Sequence, residues 1–174
     1  MNLLKNLLKR GHDRDDLRAL YGAIIDEARQ PGWYRDGGVA DSVDGRFEMV
    51  STILAFVLMR LEQLGEAAQL PSAQLAEVFV EDMDGQMREI GIGDVIVGKH
   101  IGKMMATLGG KLGAYREALA EGTSLDETLV RNLYRGDAPD AVALGTVRNG
   151  LLALHEALGF VPLEILLAGK LRLT

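Results

Sequence analysis

A segment near the middle of the chain has part of the pattern of a phosphate-binding loop. Gly93, Gly98 and Lys99 have the spacing of a loop that surrounds nucleotide phosphates with backbone N–H groups. Such a loop also needs a hydroxyl group after the lysine to hold Mg²⁺, and a preceding strand to orient it. His100 occupies the hydroxyl position, and the preceding segment has helical spacing. We therefore expect a turn between two helices, with nucleotide binding as the less favoured alternative.

Patterns for metal binding and catalysis are equally incomplete. The acidic stretch around Gly85 could form a calcium loop, but that register puts Val80 at the first ligand and Gly91 at the closing glutamate. The three histidines lie in separate segments, without a paired spacing that could hold a metal. The chain has no cysteine and no Gly-x-Ser-x-Gly motif. The sequence predicts no catalytic residue, no metal site and no cofactor.

The composition indicates a single globular domain that binds a partner. The 174 residues are 48% hydrophobic and carry a net charge of −6, so the surplus of Lys and Arg that nucleic-acid binding needs is missing. The longest apolar run covers residues 49–59, whereas a bilayer span needs about 20 residues. We expect this run to be a helix buried in the core.

Apolar residues recur at helical spacing through most of the chain, and no segment shows sustained alternation. We predict an all-α, single-domain bundle of about seven helices, in which a basic amphipathic segment (1–11) precedes the helical domain (12–174). Ser42 or Asp41 is expected to cap the core helix, Ser72 the next one, and residues 33–42 to form a loop. The predicted helices are 3–9, 13–30, 42–64, 72–90, 97–120, 124–136 and 139–158.

Residues 1–10 form a pattern of their own. Leu3, Leu4, Leu7 and Leu8 recur at helical spacing, opposed by the basic Lys5, Lys9 and Arg10. Such a helix contacts a membrane surface or packs on the bundle, and so short a helix binds lipid only weakly. The segment is too short for a signal peptide and lacks the features of an organelle leader. We expect a cytoplasmic protein of bacterial type, with peripheral contact at the inner membrane as an addition through residues 1–10.

The helix predicted at 97–120 carries small residues at four-residue steps. Small residues at this spacing allow another helix to approach closely. They either pack tightly within the domain or leave a groove open for a client, meaning a protein that this chain binds. The series is Gly98, Gly102, Ala106, Gly110, Ala114 and Ala118.

Charge is segregated between two successive helices. Residues 62–94 include eight acidic residues and one basic residue, whereas residues 99–116 include four basic residues and none that is acidic. The two helices either pair with each other or present a polar face that orients a partner.

Several blocks of sequence make the chain resemble the ubiquinol–cytochrome c reductase assembly chaperone family, from about Leu20 to Leu154. Two of these blocks are specific in combination: Asp-Gly-Arg-Phe-Glu at 44–48, and Arg-Glu-Ile-Gly-Ile-Gly-Asp at 88–94. The others are Leu-Tyr-Gly-Ala-Ile (20–24), Ala-Arg-Gln-Pro (28–31), Lys-His-Ile-Gly-Lys-Met (99–104) and Tyr-Arg-Glu-Ala-Leu (115–119).

The resemblance implies a helical chaperone that binds newly made cytochrome b and supports assembly of the cytochrome bc1 complex. It also implies proximity to the ribosome, where mitochondrial members work with a small partner protein. We expect no mitochondrial leader, so the chain resembles a bacterial member and that partner is not carried over. Catalytic residues are not implied. The alternative is a peripheral membrane or helix-binding adaptor protein without a chaperone role.

The two specific blocks and the start of the basic helix are the expected client-binding surface. The charges at 44–48 have a second interpretation, since a charge cluster at the start of a core helix can hold neighbouring segments together. The candidate partner-binding residues are Asp44, Arg46, Phe47, Glu48, Asp82, Arg88, Glu89, Gly91, Gly93, Asp94, Lys99, Lys103 and Met104.

Overall fold

The computed structural model describes residues 17–89, 94–121 and 124–173, except for the side chains of residues 87, 88, 94–101 and 121. Within these ranges the chain forms helices joined by turns, with no strand, so the predicted all-α fold is confirmed. The predicted amphipathic segment 1–11 lies outside the described residues, as do Gly91 and Gly93.

Three long helices, of 21, 21 and 28 residues, follow one another in the middle of the chain. The helices in chain order are α1 (17–28), α2 (Pro31–Arg35), α3 (Val43–Gln63), α4 (Gln69–Glu89), α5 (Asp94–Glu121), α6 (Leu125–Asn132), α7 (Ala141–Gly159) and α8 (Leu163–Leu167), with a 3₁₀ turn at Gly65–Ala68. None of these described helices combines the length and apolarity that crossing a membrane requires.

Helix α3 forms the centre of the bundle and contacts α4, α5 and α7. Every residue from Met49 to Met59 is buried, as predicted from the apolar run. Ser42 caps the helix by accepting the Gly45 N–H at 3.1 Å, and Gly65 ends it with a φ of +74°. A left-handed φ of this kind favours glycine because a Cβ would clash with the backbone.

Helices α3 and α5 run parallel. The pairs Glu48–Lys111 and Thr52–Tyr115 are both separated by 63 residues, so advancing one turn on α3 advances one turn on α5. In this register residue 106 lies level with Val43, the first residue of α3. Residues 94–105 therefore extend beyond the start of α3, over about 18 Å at 1.5 Å per residue.

The predicted loop at 33–42 was wrong for its first three residues, which belong to α2. Pro31 ends α1 but also begins α2, because a proline needs no hydrogen-bond partner at the first helical position. The Trp33 indole holds α2 in place by donating from Nε1 to the Glu27 carbonyl at 2.8 Å. Its ring packs against Gly150 of α7, where an added Cβ would lie 2.6 Å from the ring.

Other helix ends also differ from the prediction. Helix α4 begins at Gln69 and is not capped by Ser72, because the 3₁₀ turn leads directly into it and the Glu66 carbonyl accepts the Gln69 N–H. Helix α5 begins at Asp94, and α6 ends at Asn132. Ser124 caps α6, and its hydroxyl accepts the N–H of residue 127 at 3.4 Å.

Candidate functional site

Two charged candidates at the start of α3 form ion pairs within the chain. The Asp44 carboxylate binds Arg135, which follows α6, and the Arg46 guanidinium binds Asp41, just before α3, at 2.7 Å. Both pairs are exposed, and exposed ion pairs contribute about 0–1 kcal/mol each. Asp44 and Arg46 thus connect α3 to neighbouring segments. This is the second interpretation given for the charges at 44–48, in which they hold neighbouring segments together.

Glu48, the third charge, forms a buried network between α3 and α5. The Lys111 ammonium, only 2% exposed, donates to the Glu48 carboxylate, to the Glu48 carbonyl at 3.3 Å and to the Ser51 hydroxyl at 2.8 Å. These contacts use all three of its protons. Burial lowers the pKa of Lys111, and the Glu48 carboxylate opposes that shift. One turn further on, the Tyr115 and Thr52 hydroxyls lie 3.2 Å apart.

Phe47 and Asp82 join three helices. The Phe47 ring packs on Phe79 of α4 with centroids 6.1 Å apart, and Tyr21 of α1 meets the same ring edge-on at 6.5 Å. The Tyr21 hydroxyl donates to the Asp82 carboxylate at 2.8 Å. Both candidates therefore hold α1, α3 and α4 together.

The remaining candidates lie where α4 ends and α5 begins. Glu89 and Lys103 are exposed, and Met104 is half-buried against the core. Asp94 and Lys99 belong to α5 and Arg88 to α4, but the structure does not describe their side chains.

Two segments in this region, whose sequences have parts of a phosphate-binding loop and a calcium loop, are helical in the structure. Helix α5 begins at Asp94, so Gly98 and Lys99 lie inside a helix, not in a loop that could surround phosphates. Helix α4 continues to Glu89 through the acidic stretch around Gly85, which leaves no calcium loop there. No group of metal-binding side chains occurs in the part of the chain that the structure describes.

Five small residues of α5 and Met105 form a strip on one side of the helix, which we call the outer face of α5; all of them are exposed except the half-buried Gly113. This face lies opposite the side that carries the buried Leu108, Lys111 and Tyr115. The series predicted at four-residue steps drifts around the helix, so that Ala118 is buried against the core. The outer face consists of Gly102, Met105, Ala106, Gly109, Gly110 and Gly113.

The glycines of the outer face are not required by packing within the described chain. A Cβ built at Gly102, Gly109, Gly110 or Gly113 meets no neighbouring atom within 4 Å, whereas one at Gly45 would lie 2.0 Å from the Ala40 carbonyl oxygen. Each glycine inside a helix costs about 1 kcal/mol relative to alanine. Tight packing among the described residues, one of the two explanations considered for this series, does not account for these four glycines.

Comparison with known families identifies the chain. The family model described as ubiquinol–cytochrome C chaperone matches residues 35–173. The chain belongs to the ubiquinol–cytochrome c chaperone family. Family membership indicates a chaperone for assembly of the cytochrome bc1 complex.

A solved structure supports the assignment of this ubiquinol–cytochrome c chaperone. The crystal structure of the Cbp3 homolog from Brucella abortus matches with a TM-score of 0.81 and 28% sequence identity, over 98% of this chain and 94% of that one. No curated protein sequence matches significantly. The family match includes α7 and α8, whereas the resemblance seen in the sequence ended near Leu154.

Sequence reasoning missed the buried polar network of this chaperone. It took Lys111 only as part of a basic helix, although Lys111 is spaced three residues after Leu108 and four before Tyr115, both buried. That spacing places the lysine on the buried side of α5, where it needs a partner. Helical period alone could therefore have indicated a buried lysine, although not that Glu48 and Ser51 receive it.

The C-terminal segment of the chaperone packs on the same core as the rest of the chain. The Arg172 guanidinium forms two hydrogen bonds, of 2.7 and 2.9 Å, with the Glu27 carboxylate of α1. Leu166 and Leu171 are buried beside it, and Gly169 adopts a φ of +81° where a Cβ would lie 2.8 Å from the Ala19 carbonyl oxygen. Glu27 and Arg172 are 145 residues apart in the chain, so their contact joins the two ends of the described protein.

Proposed function

We propose that this chaperone binds newly made cytochrome b during assembly of the cytochrome bc1 complex, and that the outer face of α5 contacts this client. Family membership supports the assembly role, and the sequence resemblance supports cytochrome b as the client. Cytochrome b is a membrane-embedded subunit, so before assembly it exposes apolar helices that need a binding surface. An exposed helix face of small residues allows such a helix to approach closely.

The observation that carries this proposal is the set of open glycines on α5. Gly102, Gly109, Gly110 and Gly113 weaken the helix without relieving any steric conflict among the described residues. Met105, 39% exposed, adds a flexible apolar side chain to the same face. Methionine adapts its shape to irregular apolar partners, which suits a surface that receives an unassembled helix. Close approach of a client explains both features together.

The proposed surface includes the charged and glycine residues where α4 meets α5. Lys103 is exposed beside the outer face, and Lys99 precedes it by one turn of the same helix. Their charges would orient the client more than they would raise its affinity. The other members proposed here are Arg88, Glu89, Gly91, Gly93, Asp94 and Met104.

The candidates at the start of α3 have a different proposed part in client binding. Asp44, Arg46, Phe47 and Glu48 contact other segments of the chain, as does Asp82 of α4. We propose that these five residues position α3, α4 and α5, so that the outer face of α5 stays exposed. They act on the client through the placement of these helices.

Deletion of the gene tests the cytochrome b assignment. Membranes from the deletion strain should lose the cytochrome b absorption band and the assembled bc1 complex, and the intact gene supplied on a plasmid should restore both. An unchanged bc1 content in the deletion strain would remove the proposed function.

A glycine substitution tests the outer face itself. Leucine at Gly109 projects into open space, so the protein should fold while its side chain blocks close approach and lowers capture of cytochrome b. Gly22 is the matched control, because it also lies exposed in a helix and a Cβ there meets nothing within 4 Å. Equal capture by Gly109→Leu and Gly22→Leu would contradict the assignment of this face.

A further inference from the structure

A second surface feature lies away from α5, where the end of α1, helix α2 and the start of α3 enclose a pocket of about 500 Å³. Three of its six lining side chains are guanidinium groups, and one is a carboxylate. This local excess of positive charge is unusual for a chain whose net charge is −6. The lining residues are Arg29, Pro31, Tyr34, Arg35, Asp41 and Arg46.

The guanidinium groups of the pocket have capacity left for a ligand. Among the described residues, no carboxylate pairs with Arg29. Arg46 directs Nε and one terminal nitrogen at a single oxygen of Asp41, at 2.7 Å each, which leaves its other terminal nitrogen available. Arg35 binds the adjacent Asp36 in a pair whose arginine side chain is 75% exposed. Exposed pairs of this kind exchange readily with a competing anion.

The backbone that carries these arginines is held in place. The Tyr34 hydroxyl donates to the Ala28 carbonyl at 2.7 Å, and the Trp33 indole donates to the Glu27 carbonyl at 2.8 Å. Both bonds fix α2 against the end of α1. Arg46 lies in the first turn of α3, which Ser42 caps. The three charges are therefore presented from fixed elements, which lowers the cost of ordering them around a ligand.

We infer that this pocket binds a phosphate group. The lining side chains carry an excess of two positive charges, or one when Asp36 is counted, and a phosphate monoester near neutral pH carries about −1.5 to −2. Three guanidinium groups, carried by three separate segments of the chain, line the same pocket. Several such groups suit the several oxygens of a phosphate better than the two of a carboxylate. This inference goes beyond the proposed function and does not depend on it.

Titration of the full chain with inorganic phosphate, at constant ionic strength, tests the inference. Calorimetry should show saturable binding, and the NMR signals of the Arg29, Arg35 and Arg46 side chains should shift together. Arg29→Gln should weaken binding by about tenfold, as expected for loss of a charge-assisted contact. Arg18→Gln is the matched control, because Arg18 is an exposed arginine on α1, the helix that Arg29 directly follows, and does not line the pocket.

Three outcomes would overturn the inference. The first is the absence of saturable binding, and the second is a loss of affinity in Arg18→Gln as large as that in Arg29→Gln. The third is equally tight binding of acetate, which would show that any small oxyanion suffices.

Vesicles distinguish the two sources of a phosphate group. Flotation with phosphatidylcholine vesicles that contain phosphatidic acid, compared with phosphatidylcholine alone, measures binding of a lipid phosphate. If Arg29→Gln lowers this flotation, the pocket takes a lipid headgroup. If Arg29→Gln weakens inorganic phosphate binding but leaves flotation unchanged, the pocket takes a soluble phosphate compound. Both results support a phosphate site.

Discussion

The Lys111 side chain defines how α5 sits on α3. A lysine ammonium so deeply buried needs all its protons satisfied, because an unpaired charge in the interior is costly. Glu48 and Ser51 are the residues that satisfy it, and they lie one turn apart on α3. Rotating α5 or sliding it by one residue would break all three contacts. The network therefore fixes which face of α5 remains exposed.

Removal of the lysine charge should be strongly destabilising. Lys111→Met leaves the Glu48 carboxylate without its partner, and we expect the free energy of unfolding to fall by about 3 kcal/mol. The double variant Lys111→Met with Glu48→Leu removes both charges and should recover most of that loss. Urea denaturation of the wild type, the single variant and the double variant measures these free energies of unfolding. A single variant as stable as the wild type would show that the buried pair is unimportant.

Tyr134 should make stability depend on alkaline pH. Its hydroxyl donates to the Gly37 carbonyl at 2.6 Å, and burial raises the pKa of Tyr134 to about 12, from an ordinary value of about 10. Between these pH values the folded state keeps a proton that the unfolded state has lost, so this contribution to stability falls as pH rises.

Tyr134→Phe tests that contribution. The variant should lose about 1 kcal/mol at pH 7, because the Gly37 carbonyl loses its hydrogen bond. The difference in free energy of unfolding between wild type and variant should shrink as the pH rises above 10. Urea denaturation at pH 7, 9 and 11 measures this difference. A deficit that is constant across that range would contradict the raised pKa of the hydroxyl.

At the scale of helices, glycines are of two kinds. The fold requires those at which an added Cβ would meet a neighbouring atom, and it does not require those at which the Cβ would lie in open space. Alanine at Gly110 places a Cβ in open space, so it should stabilise the protein by about 0.5–1 kcal/mol through helix propensity. Alanine at Gly45 would meet the Ala40 carbonyl oxygen and should destabilise it. Thermal and urea unfolding of both variants measure the difference. A destabilised Gly110→Ala protein would indicate that α5 needs glycine there for its own fold.

The helices that sequence could predict are those whose ends depend on local chemistry. The apolar run of α3 and its Ser42 cap are local features, and each was found where expected. The start of α4 and the existence of α2 depend on packing: α4 continues from a 3₁₀ turn, and α2 is held by Trp33 against α7. No pattern of neighbouring residues contains that information.

The candidate site was predictable to a similar degree. Helical spacing identified the small residues of α5, but exposure of Gly102 and burial of Ala118 depend on which side of α5 faces α3. The charges at the start of α3 were noted without their partners. Arg135, which binds Asp44, is 91 residues away in the chain, and no sequence rule connects the two.

At the scale of the whole molecule, membrane contact through residues 1–10 remains a prediction. These residues combine four leucines with three basic residues, and so short a segment should bind anionic vesicles weakly. Flotation with phosphatidylglycerol-containing vesicles should fall when residues 1–10 are deleted, and should fall in high salt because the attraction is electrostatic. Equal flotation of the full and shortened chains would remove this membrane contact.

The central claim, that the outer face of α5 receives cytochrome b, is tested most directly by crosslinking in cells. A photoreactive amino acid replaces Lys103 or Ala106 on α5, and Asn149 on the exposed side of α7 serves as the control position. Mass spectrometry then identifies the captured protein. Cytochrome b should be captured from residues 103 and 106 and not from residue 149. Capture from residue 149 alone, or no cytochrome b from either position on α5, would contradict the account.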